Sequence, residues 1–118
     1  MATWDVPDPI VFNHSLRVGD TYQPTWVQLT VGGEVVTLEG ASGTWSLRRE
    51  AGGLVLADGE VLVNEVSNVF SWVAAHAATA ALAEHAGEMA RFALRLTFGD
   101  GTRRTVIVGD VELMPETI

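Results

Sequence analysis

"ARFALRLTFGDGTRRTVIV", residues 90–108, sets the architecture of this chain. Ala90, Phe92, Leu94, Leu96 and Phe98 alternate with Arg91, Ala93, Arg95 and Thr97. A period of two puts an apolar row on one face of a β-strand and a polar or small row on the other. Strands of this kind are half-buried members of antiparallel sheets. The Gly-Asp-Gly at 99–101 raises a question of chemistry, because glycines beside arginines can cradle a phosphate. A phosphate loop, however, opens a helix whose N-terminal N–H groups face the anion. Here the glycines open a second β-like run, 103–108, and Asp-Gly supplies turn dihedrals. Arg103 and Arg104, adjacent on that run, face opposite sides and form no single clamp. The stretch reads as a β-hairpin.

The same period recurs on both sides of it. Ile10, Phe12, His14, Leu16 and Val18 predict one strand over 10–18, followed by a turn at Gly19-Asp20. Val27, Leu29 and Val31 predict another; Pro24 upstream lacks an N–H donor and confines that end to a sheet edge or a bulge. Gly32-Gly33 is a two-residue hairpin loop leading into a strand over 35–38. Trp45, Leu47 and Arg49 share one face of the next strand. Glycine-rich breaks at 51–53 and 57–60 flank "LVLA", with strands expected over 60–66 and 69–74. "ATAALAEHAG", 78–87, predicts one short helix, closed by Gly87 in the left-handed position after its last turn. A final short strand covers 110–114. The expected fold is all-β: an Ig-like antiparallel β-sandwich with one short helix between strands. Residues 1–9 form an extended N-terminal arm, 10–114 the domain and 115–118 a tail.

Composition narrows the function classes. At 118 residues the chain is the size of one domain, and folding should bury about 65% of its unfolded surface. Hydrophobic residues are 47% and charged ones 19%, too apolar for disorder and too interrupted for a membrane span. There is no cysteine, hence no disulfide framework or thiolate metal site. Fifteen acidic residues against seven arginines and no lysine give a net charge of −8, which disfavours nucleic acid as a partner. The N-terminus lacks the pattern of a signal peptide, and synthesis in the cytoplasm is expected.

Candidate sites are few. His14, His76 and His85 match no metal-ligand spacing, and the aspartates beside glycine lack the close oxygen ligands calcium requires. No serine sits in a nucleophile elbow. No catalytic, cofactor or metal residue is therefore assigned, and no enzyme activity is expected. Trp26, Trp45 and Trp72 fall in strands and are expected in the core. Trp4 falls in the arm, where it docks in a neighbour's pocket or folds back on its own domain. The residues assigned to interfaces are Thr3, Trp4, Asp5, Val6, Pro7, Asp8 and Pro9 of the arm, with Pro24 at a sheet edge.

A resemblance extends this reading. A strand leads into Gly19-Asp20-Thr21; a Leu38-Glu39-Gly40-Ala41 turn precedes a strand; Gly87 ends a helical segment before Met89–Phe98; and a glycine hairpin is followed by a closing Gly109 to Leu113. In this order, over about residues 12–114, the chain resembles the N-terminal Ig-like β-sandwich of siphophage upper baseplate proteins and related small proteins of phage tails and necks. The resemblance implies a non-enzymatic virion protein of a tailed phage or prophage, partnered by other virion proteins and by copies of itself. With one domain, an adaptor or decoration subunit is expected rather than a direct host-binding protein. No nucleic acid, membrane or cofactor enters that reading. A carbohydrate-binding module, recognising glycans through exposed aromatics, and an assembly factor absent from the finished particle are the alternatives.

Overall fold

The computed structural model describes the backbone of residues 2–5 and the whole of residues 9–50 and 52–115. Among the described residues ten strands form, in chain order β1 (Ala2–Asp5), β2 (Ile10–Val11), β3 (His14–Arg17), β4 (Val27–Val31), β5 (Glu34–Val35), β6 (Ser42–Arg48), β7 (Val55–Asn64), β8 (Val69–Trp72), β9 (Met89–Thr97) and β10 (Arg103–Met114). Between β8 and β9 lie a five-residue helix, α1 (His76–Ala80), and a 3₁₀ turn, Ala83–His85. The all-β class is as expected; the helix expected over 78–87 instead ends at Ala80, and a 3₁₀ turn rather than a continued helix precedes Gly87.

The strands belong to one sheet, ordered β1-β4-β8-β7-β6-β9-β10-β2, with β5 beside β4 and β3 following β2 along β10. Strand β7 joins its two parts: Glu60 to Val55 pair with β6, and Val61 to Asn64 pair with β8. The sheet curls so that its inner faces meet. Trp72 of β8 stacks on Phe92 of β9 at a ring separation of 5.1 Å, and Trp45 of β6 lies 6.3 Å from the same ring. Around them Leu29, Phe70, Leu94, Leu96, Ile107 and Leu113 are fully buried. Each such side chain contributes about 1.5–3 kcal/mol by leaving water. The N-terminal residues touch both ends of the strand order, since β1 runs parallel to β4 while β2 and β3 run parallel to β10.

The alternation read from 90–98 holds: Ala90, Phe92, Leu94 and Leu96 are buried, and the residues between them face outward. Gly32 and Gly33 both take positive φ, 58° and 87°, and close the β4–β5 hairpin as the sequence predicts. That hairpin is shorter than expected. Side chains capture the backbone beyond it: Asn68 Oδ1 accepts from Leu38 N at 2.9 Å and Glu65 Oε1 from Gly40 N at 2.9 Å.

Two glycines expected to break strands lie inside them. Gly59 sits in the middle of β7 opposite Trp45, whose indole covers it; a Cβ there would stand 2.8 Å from Trp45 Nε1. Gly109 sits inside β10, which is one twelve-residue strand rather than two. A Cβ on Gly109 would overlap the carbonyl oxygen of Phe12. That close crossing also divides the expected strand 10–18 into β2 and β3 at Phe12–Asn13. Arg49, expected to share a strand face with Trp45 and Leu47, lies beyond the end of β6 and is exposed, because the chain turns there.

Candidate functional site

The surfaces that could serve a partner follow from how the sheet ends. At one end of the order β1 is the outermost strand: Thr3, Trp4 and Asp5 pair with Gln28, Leu29 and Thr30 of β4. The arm thus enters as a parallel strand whose far side meets no other strand among the described residues. The side chains of Thr3, Trp4 and Asp5, and the whole of Val6, Pro7 and Asp8, lie outside the described part. Pro9 is exposed just ahead of β2. Pro24 is half-buried in the connection before β4, where its carbonyl accepts from the buried Ser71 hydroxyl at 3.2 Å. The edge itself is made by β1, so Pro24 stands beside the sheet rather than on its rim.

The Gly-Asp-Gly segment is a turn. Phe98 N donates to Thr102 O at 2.8 Å, Gly101 N to Phe98 O at 2.9 Å, and Thr102 N to Asp100 Oδ1 at 2.8 Å. The Thr102 hydrogen bonds hold the Asp100 carboxyl below its ordinary pKa, with Arg104 adding a smaller charge effect. Gly101 supplies the positive φ, 89°, that the tight reversal needs.

His14 is built into an aromatic stack. Its ring lies between those of Phe12, at 4.7 Å, and Tyr22, at 5.1 Å, with Phe92 edge-on at 5.4 Å. Burial lowers its pKa, opposed in part by a hydrogen bond to the Phe12 carbonyl. His85 contacts Glu88 at 2.6 Å and Glu84 at 3.4 Å, and Arg49 lies 3.7 Å from Glu88. Among the described residues no group of three or more His, Asp or Glu is placed to hold a metal ion. Trp45 and Trp72 are buried and Trp26 is half-buried.

One surface went unnoticed in the sequence. Arg48 of β6, Arg91 and Arg95 of β9 and Arg103 of β10 occupy the outward phase of their strands, side by side on the outer face of the sheet. Arg91 reaches Asp110 at 3.0 Å, and Arg48 Nη1 donates to Gly53 O at 2.8 Å. A shallow concavity of about 490 Å³ lies over this face, lined by Arg48, Asp58, Glu60 and Arg95 among others, and a second of about 420 Å³ lies between Glu60, Arg95 and Arg103. The polar phase of β9 carried the signal, with Arg91 and Arg95 four residues apart on one face.

The fold defines a small all-β domain with an edge strand at its N-terminus and a polar outer sheet face. No protein-family model matches the chain, and no curated protein matches it. Among solved structures it is similar to the N-terminal domain of ORF48 of phage TP901-1, with 17% sequence identity and a TM-score of 0.54. The likeness covers 95% of this chain and 94% of that one. At this identity the likeness shows a shared fold, that of a phage protein domain.

Proposed function

We propose that this chain is a non-enzymatic structural protein of a tailed phage or prophage virion, a tail, baseplate or neck subunit. Its partners are other virion proteins and copies of itself. The observation that carries the reading is the end-to-end likeness of fold to the N-terminal domain of a phage protein. We read its one curled sheet, continuous through β7, as a variant of the Ig-like sandwich of upper baseplate proteins. Assembly runs through the N-terminal strand and the sheet edges: a strand with one side free pairs by its main chain, and side-chain pockets add specificity. The arm residues Thr3 to Pro9 are the interface, with Pro24 beside it.

The glycan-binding alternative needs a flat row of exposed aromatics. Trp72, at 1% exposure, is withdrawn from any such row, and so is Trp45 at 3%. Peptide mass spectrometry of density-purified particles, after cleavage at arginine, tests the proposal. Recovery at a copy number matching a ring or tail multiple supports it. Absence from particles, with the protein abundant in the lysate, refutes it and leaves the assembly factor or the glycan module. Deleting residues 1–9 is expected to keep cooperative melting but abolish incorporation; unchanged incorporation would remove the arm from the interface.

A further inference from the structure

We propose that the arginine face of β6, β9 and β10 docks the acidic, valine-bearing end of a second copy of this chain. The inference rests on reading the chain as an assembling subunit and names one contact between copies. Four of the seven arginines stand on this face. Two of them, Arg95 and Arg103, are exposed, and their guanidinium groups make no hydrogen bond or ion pair with a described residue. Arg91 is occupied by Asp110, and Arg48 by the Gly53 carbonyl. Asp58 and Glu60 lie on the β7 side of the same face, and Glu60 also lines the concavity of about 420 Å³, so the net positive charge is at its Arg95–Arg103 rim.

The complementary surface is built by other elements and adjoins the β9–β10 hairpin where the Glu39–Gly40 turn meets Gly99. The segment that follows the β4–β5 hairpin is tied to the turn 65–68 through Leu38 N and Gly40 N, which donate to Asn68 and Glu65. Together they present Glu34, Glu39 and Glu65 with Val31, Val35 and Val66, the last 94% exposed. None of Glu34, Glu39 and Glu65 forms an ion pair with a described residue. Exposed valines ringed by carboxylates offer apolar contact at the centre and charge at the rim. Because the two surfaces differ, the contact is head-to-tail, and repeated copies close into a ring or extend as a filament.

Sedimentation velocity and native mass spectrometry of the full chain test this. The chain is expected to associate at about 50 mM salt and to weaken about tenfold or more at about 500 mM, where exposed charges are screened. Arg95→Glu with Arg103→Glu should be monomeric alone, and so should Glu34→Arg with Glu39→Arg. All four side chains are exposed, and circular dichroism verifies folding. Arg95→Gln with Arg103→Gln gives the same test without adding charge, and should weaken association. An equimolar mixture of the two charge-reversed proteins should assemble, since each then offers the surface the other needs. A monomeric wild-type chain across the low-salt series, or a mixture that stays monomeric, overturns the contact. Recovery of a monomeric wild-type chain in purified particles would overturn this inference while leaving the virion reading in place.

Discussion

Replacing Gly109 by alanine puts the crossing of Phe12 over β10 to a quantitative test. The added Cβ meets the Phe12 carbonyl oxygen and carbon, both backbone atoms. The neighbouring chain cannot yield freely, because it is pinned on both sides: Phe12 N donates to Val108 O at 2.8 Å, and Asp110 N to Asn13 Oδ1 at 2.9 Å. Pushing Phe12 away sacrifices these bonds, at about 1 kcal/mol each. Forcing a methyl into a packed site costs about 1–3 kcal/mol more. The sum is a loss of about 3–5 kcal/mol, a large part of a typical domain's stability. Urea unfolding followed by tryptophan fluorescence reads it directly, since the Phe12 ring packs edge-on to Trp72 at 6.2 Å. Gly52→Ala is the control, because a Cβ there meets nothing within 4 Å. Its positive φ of 73° limits the expected cost to about 1–2 kcal/mol. A Gly109→Ala protein losing no more than this control would refute the steric reading of the crossing.

Gly59→Ala should tilt the Trp45 indole off β7, costing about 1–3 kcal/mol and shifting the emission of that tryptophan; an unshifted spectrum at unchanged stability would contradict the packing. Thr79 is fully buried, and its hydroxyl accepts from Gly19 N at 3.1 Å and donates to Asp20 O at 2.7 Å. Thr79→Val should therefore cost about 2 kcal/mol in chemical unfolding by orphaning both groups, and a neutral result would show that α1 is held otherwise. For His14 the sign follows from burial, which lowers its pKa from 6.5 and so favours the neutral ring in the folded state. The unfolded chain then binds the proton first as pH falls, so stability is complete above about 6.5 and declines below it toward the folded-state value. His14→Phe should flatten the slope of stability between about pH 7 and 5.5; an unchanged slope would assign the pH dependence to other groups.

Much of the secondary structure was legible because a strand half-buried on one sheet face must alternate, and β9 does so over its whole length. The Gly32-Gly33 and Gly99–Gly101 turns were equally readable, since their residue types supply the dihedrals a tight reversal needs. The interface assignments were less so. Pro24 does mark a place without a ladder donor, but the edge beyond it is made by Ala2–Asp5, which show no alternation strong enough to predict a strand. The arginine face was written into the polar phase of β9, yet only the pairing of β6 and β10 with it brings Arg48 and Arg103 alongside.

By itself, then, the sequence determined the all-β class, the inward row of β9 and the two glycine hairpins, all of which depend on neighbours within a few residues. The tertiary structure alone decided what Gly59 and Gly109 are for. Nothing local distinguishes a glycine that reverses a chain from one that lets an indole or a carbonyl pass close above it. That difference is set by Trp45 and Phe12, residues distant along the chain that the sheet's curl brings into contact.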